Sequence, residues 1–399
     1  MGVPDTLILV GGYGLPDRTA SATRAIGLAK LFRSIGMKVV VMGKITPEVP
    51  PIDGSTEIEV DGIRCVDIRR PFPGRDYARY DLSGDSVMAL VDSLPAGSVR
   101  AVSAYNHAGQ ATWSILRGCK ARGIPAILDC TEWYGWEGKK ILRNIQRMAW
   151  TEFRLRVLTR KAGNVIAASR WFSDTLPGLN RVLLPFVIDA SDPKWKPEPP
   201  RLALPDGRRR FLYSGSPGLG MIKDRLPVAI EGFGALEAEG VPFEFRIAGM
   251  TRDQYLADRP DDTALVTRLG ESLKFLGRIP HADSLGELRS TDYALFFRRD
   301  DRVANTGFAT KYVEAASLGI PVVTNPTSDI DRYLTDGRNG FLAPDLSTSA
   351  IAEVLRRAAT LGDADLLAMK SVCAAANPFD IPPWQAPARA FLDALRPVR

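Results

Sequence analysis

Histidine and cysteine are scarce, with two and four copies in 399 residues. Cys65, Cys119, Cys130 and Cys373 lie far apart and form no C-x-x-C pair. That excludes a zinc ribbon and a dithiol redox motif. With only His107 and His281 to add, a structural zinc site has nothing local to build on. A long chain with few, scattered cysteines suits a reducing, cytoplasmic setting. No apolar run approaches the roughly 18 residues that cross a bilayer. The first residues, MGVPDTLILVGG, lack a basic segment and a small-residue cleavage site, so they do not read as a secretory leader. Gly2 and Thr6 formally fit an acylation pattern, but TLILV reads better as a first buried strand. A dominant charge is also missing. Lys+Arg is 52 and Asp+Glu is 46, a net charge of +6. So mild an excess suits an anionic small molecule or an anionic membrane as well as it suits nucleic acid.

What is present is an ordinary globular composition, 45% hydrophobic and 25% charged, in a chain long enough for two domains. TLILV (6–10), KVVVMG (38–43), AVSAY (101–105), PAILDC (125–130) and NVIAAS (164–169) read as short buried strands. Helical patterns separate them. Ala22, Ala25, Ile26, Ala29 and Phe32 recur at three- and four-residue spacing and mark one buried face. Strand, helix, strand in repetition predicts parallel pairing, hence an α/β sheet covered on both faces. Residues 192–205 are rich in proline and read as a linker. The pattern then restarts with RFLYSG, FEFRIAG, LKFLG, YALFF and PVVTN. The expected domains are 1–195 and 206–383, with a C-terminal helix in 384–399 returning to the first.

Two glycine-rich loops are candidates for phosphate binding, because loop amides and a helix N-terminus present unpaired N–H groups. GGYGLPD carries Gly12 and Gly14 but has Asp17 where a dinucleotide fingerprint needs its third glycine. No Gly-Lys-Ser/Thr follows, so it is not a P-loop. It reads either as part of a donor site or as a tight strand-to-helix turn. The second loop is NTGFATKYVEAASLGIPVVTN (305–325). Thr310 is placed to cap its helix and Gly319 to end it. Gly307 lets backbone approach a ligand. Lys311 sits in the first turn, and Glu314 lies on nearly the same face. A phosphate beside a carboxylate that accepts two hydroxyl protons is the chemistry of a nucleotide diphosphate with its ribose. A capped helix with an exposed Lys311–Glu314 ion pair fits the spacing equally well.

In the order YSGSPG…KDRL, FRIAG, LKFLGRIPHADSLGELRSTDYALFF, TKYVEAASLGIPVVTN and DIDRYLTDGRNGFLAPDL, the second half resembles the family-4 glycosyltransferases of the GT-B fold. The resemblance covers about half the chain. It implies two Rossmann-like domains facing across a cleft, with the nucleotide-sugar donor on the second and the acceptor on the first. It implies a retaining transfer without a covalent protein nucleophile. Lys223 matches the family's basic residue near the donor phosphates, and Glu314 matches the residue that holds the ribose. The family's first glutamate falls at Thr306, and Ser216 stands where an arginine is common, so Lys311 is expected to supply the missing charge. Gly307, Phe308, Thr310 and Lys311 match a subgroup with a Gly-Phe-x-[ST]-Lys loop, similar to enzymes that build bacterial surface polysaccharides. After PAILDC, where such families often place a histidine, this chain has Glu132. Glu132 and His107 are therefore the acceptor-side candidates, and Glu132 and Lys311 the catalytic ones. Read as residues alone, Glu132 also suits a helix cap, and His107 a hydrogen-bonded structural residue. The expected partners are a nucleoside-diphosphate sugar and a saccharide or lipid-linked acceptor, with no cofactor, no metal and no nucleic acid. A sugar-nucleotide 2-epimerase and a non-catalytic partner subunit are the alternatives.

One segment stands apart. KKILRNIQRMAWTEFRLRVLTRK (139–161) holds eight basic residues, Lys139, Lys140, Arg143, Arg147, Arg154, Arg156, Arg160 and Lys161, against the single acid Glu152. Ile141, Leu142, Ile145, Met148, Ala149 and Phe153 give it an apolar side, and Trp136 and Trp150 could sit at a headgroup boundary. It reads either as a helix packed on its own sheet or as a surface for the anionic inner face of the cell membrane.

Overall fold

Runs of aliphatic and β-branched residues, each followed by a helix, build two sheets. The computed structural model describes residues 4–45, 57–68, 83–136, 141–221 and 223–399. It divides into two units. The first comprises Met1–Asp189, Thr306–Phe308 and Phe379–Arg399; the second comprises Ala190–Asn305 and Ala309–Pro378.

In the first unit the strands are β1 (Thr6–Leu15), β2 (Lys38–Ile45), β3 (Glu57–Val60), β4 (Ile63–Asp67), β5 (Val99–Tyr105), β6 (Ala126–Cys130), β7 (Asn164–Ala167) and β8 (Asn180–Leu183). Their order is β3-β4-β2-β1-β5-β6-β7-β8. Among the described residues only the β3–β4 hairpin pairs antiparallel. Side-chain alternation feeds two cores: Leu7 and Leu9 enter one, Ile8 and Val10 the other. The helix Ala20–Ser34 lies so close to the chain after β8 that a Cβ on Gly27 would sit 1.9 Å from the Val187 carbonyl oxygen. Inside this packing Arg24 is fully buried. Its guanidinium holds both oxygens of Asp129, at 3.0 and 2.6 Å, and donates to the carbonyls of Leu184 and Pro185. The C-terminal helix Pro382–Asp393 also packs here, with Phe391 and Leu392 in the core and the Leu392 carbonyl accepting from Arg100.

The second unit holds β9 (Arg209–Ser214), β10 (Phe243–Ala248), β11 (Leu273–Gly277), β12 (Tyr293–Leu295), β13 (Val322–Thr324) and β14 (Gly340–Leu342). All pairs are parallel, in the order β11-β10-β9-β12-β13-β14. The order reverses direction between β9 and β12, which opens a crevice at the carboxyl ends of those two strands.

Several expectations change. GGYG is not a strand-to-helix turn, because β1 continues to Leu15 and pairs Gly14 with Lys44 and Leu15 with Ile45. The turn comes later, and Thr19 caps the following helix. The 192–205 stretch is not a free linker. Trp195 is buried near His281, the Arg201 carbonyl accepts from Lys370, and the Ala203 N–H donates to Asp292. The division between units falls earlier, at Asp189.

Candidate functional site

The crevice at the ends of β9 and β12 is built around one carboxylate. Asp224 is fully buried. Its Oδ1 accepts from Arg298 Nε at 2.7 Å, and its Oδ2 accepts from the Tyr213 hydroxyl at 2.8 Å. Lys311 Nζ lies 2.8 Å from the same Oδ2. Tyr213 comes from β9, Arg298 follows β12, and Lys311 sits in the first turn of the helix Thr310–Ser317. Burial opposes ionisation of Asp224, but the Lys311 and Arg298 charges outweigh it and hold the carboxyl well below the usual range. Lys311 shows the converse. Burial, together with Arg298 and Lys223 nearby, pulls its ammonium below the ordinary lysine value, while Asp224 pulls it back up. Two cations thus share one anion, and the group keeps a positive surplus. Lys311 is its most accessible member.

The space above the cluster is kept clear by missing side chains. Gly215 follows β9 with φ +119°, and a Cβ there would sit 2.8 Å from Lys311 Nζ. Gly249 follows β10 with φ +122°, and a Cβ on it would come within 2.2 Å of the Gly215 carbonyl oxygen. A side chain at Gly249 would push the Gly215 backbone aside, one at Gly215 would displace the Lys311 ammonium, and both positions hold a positive φ that favours glycine. Lys223 is exposed on the same loop, two residues past the left-handed Met221, and Ser216 is exposed beside it. One turn along the helix from Lys311, Glu314 Oε1 is 3.2 Å from His281 Nε2. Lys311 and Glu314 therefore do not pair with each other, which overturns the exposed ion-pair reading. The cap expected at Thr310 is also absent. The helix starts one residue sooner, with Ala309 as its cap, and no side chain closes it. Gly319 ends it with φ +72°.

Thr306, Gly307 and Phe308 belong to the first unit. Thr306 is fully buried. It accepts the Trp133 N–H at its hydroxyl and the Ser169 hydroxyl at its carbonyl. The room a side chain would need at Gly307 is taken by the Thr131 carbonyl oxygen, 2.8 Å from the Cβ position, so the missing side chain serves packing there. Phe308 is buried against Phe379. Gly12 and Gly14 are half-buried residues of β1. Glu132, just past β6, is half-buried near Tyr105 and Tyr134, and burial, with the Glu132 charge added, pushes both hydroxyls up. Its carbonyl accepts from Arg154. His107 is buried, and burial with Arg154 alongside lowers its imidazole to about 3, so it stays neutral.

Asp224, Arg298, Tyr213 and His281 were not among the sequence candidates. Asp224 lay inside the KDRL segment, directly after Lys223, and Arg298 directly after YALFF. Their partnership is a long-range contact that neither segment encodes alone.

Residues 208–360 match the family described as glycosyl transferases group 1. No curated protein matches the chain by sequence. Solved structures match over nearly the whole length. HepE of Anabaena, in complex with UDP and glucose, has 16% identity and a TM-score of 0.64, covering 98% of this chain and 100% of that one. A glycosyltransferase of Rickettsia africae has 11% identity and a TM-score of 0.66, with 98% of each chain covered. WaaG, a glycosyltransferase involved in lipopolysaccharide biosynthesis, has 14% identity and a TM-score of 0.62, covering 96% of this chain and 98% of that one. Two parallel-sheet units of Rossmann order, with a group 1 transferase segment across the second, make the protein a glycosyltransferase of the GT-B fold.

Proposed function

We propose that the second unit binds a nucleoside-diphosphate sugar and that the enzyme transfers the sugar with retention to a saccharide or lipid-linked hydroxyl, in polysaccharide or glycolipid assembly. The observation that carries this reading is the surplus of positive charge held by Asp224 at the switch point of a parallel sheet. A diphosphate over Gly215 meets Lys311 and Lys223. Glu314, one turn along, accepts the two ribose hydroxyls. HepE, with the same fold, is a UDP and glucose complex.

The bond broken joins the sugar's anomeric carbon to the diphosphate, and the bond formed joins that carbon to the acceptor oxygen. The diphosphate leaves with one further negative charge growing on the two it already carries, and fixed cations lower that barrier. The acceptor's proton departs on the released phosphate, so no protein nucleophile is required. On the first unit, Glu132 orients a reacting hydroxyl. Thr306, whose hydroxyl already serves the Trp133 N–H, does not replace the family's first glutamate.

Lys311→Ala and Glu314→Ala should each lower turnover by about 10²–10³-fold. Near-normal kinetics in both, with unchanged thermal melting, would remove the site from this helix. Since lysine charge carries the leaving group, turnover should persist in EDTA; loss in EDTA that magnesium or manganese restores would refute a metal-independent reaction. Incubating donor without acceptor separates transfer from 2-epimerisation, which needs none. Glu132→Gln should lower turnover while donor affinity, read by calorimetry, holds; equal loss of both would place Glu132 on the donor instead.

Asp224 gives a pH test. Lys311 works charged, so activity should fall as pH rises through its lowered value. Asp224 opposes that lowering. Asp224→Asn keeps the shape and removes the charge, so the alkaline limb of kcat/KM should move to lower pH. An unshifted limb would mean that Asp224 acts on the fold alone.

A further inference from the structure

The helix Ile141–Phe153 in the first unit is inverted. Its buried side chains are the polar Asn144 and Thr151, while the large aliphatics face out. Leu142 is 83% exposed, Ile141 60% and Ile145 55%, and the neighbouring Trp136 is half exposed. Ile141, Leu142, Ile145 and Ala149 fall within about 100° of the helix circumference, so they form one stripe. The packed-helix reading holds for the later part of the segment, where Leu155 and Leu158 are buried in the core and Phe153 packs against it, and fails for the stripe of Ile141, Leu142 and Ile145. An outward stripe of this kind costs free energy in water and marks a contact surface.

The basic residues of the segment sort into two groups. Arg154 is buried and donates to the carbonyls of Glu132 and His107, and Arg147 donates to that of Gly135. These hold the fold. Lys139 and Lys140 lie outside the described residues. Arg143 and Arg160 are exposed, and Lys161 stands over the partly exposed ring of Trp113, 5.2 Å from its centroid. The lone acid, Glu152, is paired with Arg156. Aliphatic side chains therefore project from a surface with a basic rim and no unpaired carboxylate within 141–161.

We propose that this face docks on an anionic lipid bilayer, with Leu142 and Ile145 entering the acyl boundary and Arg143 and Arg160 meeting headgroup phosphates. Charge selects this occupant. A second copy meeting the face about a twofold axis would bring the same arginines against their own images. No helix among the described residues is long and apolar enough to cross a membrane, so the contact is with the surface. Aliphatic residues on one side of a helix, cations beside them and tryptophan at the edge are the chemistry of that interface.

Vesicle binding is measured without donor or acceptor, so it stands or falls independently of sugar transfer. The full chain is sedimented with vesicles of phosphatidylcholine alone and with about a third phosphatidylglycerol. Binding is expected only to the anionic vesicles, and raised salt should weaken it, since exposed charges are screened within about 10 Å at 0.1 M. The double variant Leu142→Asp/Ile145→Asp should lose binding. Arg143→Gln/Arg160→Gln should bind about thirtyfold more weakly. Both should melt like the parent, since these side chains support no core. A folded parent that binds neither vesicle, or binds both equally, overturns the proposal. So does a parent that is dimeric in solution and becomes monomeric on Leu142→Asp.

Discussion

Asp224 is a carboxylate removed from water and held charged by Lys311 and Arg298, and the loops at the end of the second sheet are arranged around that charge. Tyr213 brings β9 to it. Arg298 brings the chain after β12, and its backbone is fastened in turn to Asn325 after β13 by two hydrogen bonds. Lys311 brings the helix Thr310–Ser317. Removing one partner of such a buried group typically costs about 3–5 kcal/mol, because the remaining charge is left unpaired. The four segments are therefore held in one arrangement by their own contacts, and on the proposed reading little ordering would remain to oppose binding of the donor.

The first unit has a buried charge pair of its own at the carboxyl end of its sheet, and the contrast is instructive. Arg24 and Asp129 match one to one, in a bidentate contact, and Nη1 of Arg24 donates to two carbonyls. The two charges cancel within the pair. In the second unit two cations share a carboxylate and one of them reaches the surface. The same physical device is balanced in one place, where it fastens a helix to a sheet, and carries a surplus of positive charge in the other.

Much of this was legible in residue order. Apolar runs found β1, β2, β5–β7 and β9–β13, and the lysine and glutamate of the Thr310–Ser317 helix stood out by spacing. Other features were out of reach for identifiable reasons. β14 opens on a glycine and carries only Phe341 and Leu342 as apolar residues, so it presents no apolar run. β3 and β4 were passed over although Asp61-Gly62, both with positive φ, is a hairpin signal. GGYG looked like a turn, since glycine usually breaks a strand, but pairing with β2 carries β1 through it. Asp224 and Arg298 are 74 positions apart, so their bond appears only after folding. The stripe containing Leu142 and Ile145 was visible, but periodicity says that an apolar side exists and not which way it faces.

The strand order also bears on how the chain behaves at high concentration. Among the described residues each sheet ends in strands with an unpaired side: β3 and β8 in the first, β11 and β14 in the second. Open sides of this kind are templates for strands of other molecules. Here each is blunted differently. β3 alternates Ile58 with Glu57 and Glu59, β8 carries the exposed Arg181, β11 carries Lys274, and β14 ends after three residues. A neighbouring strand would have to bury those charges or settle for too few hydrogen bonds. Charge and shortness at the sheet margins thereby oppose strand pairing between newly made chains, a protection that an open, mostly parallel sheet needs and a closed barrel does not.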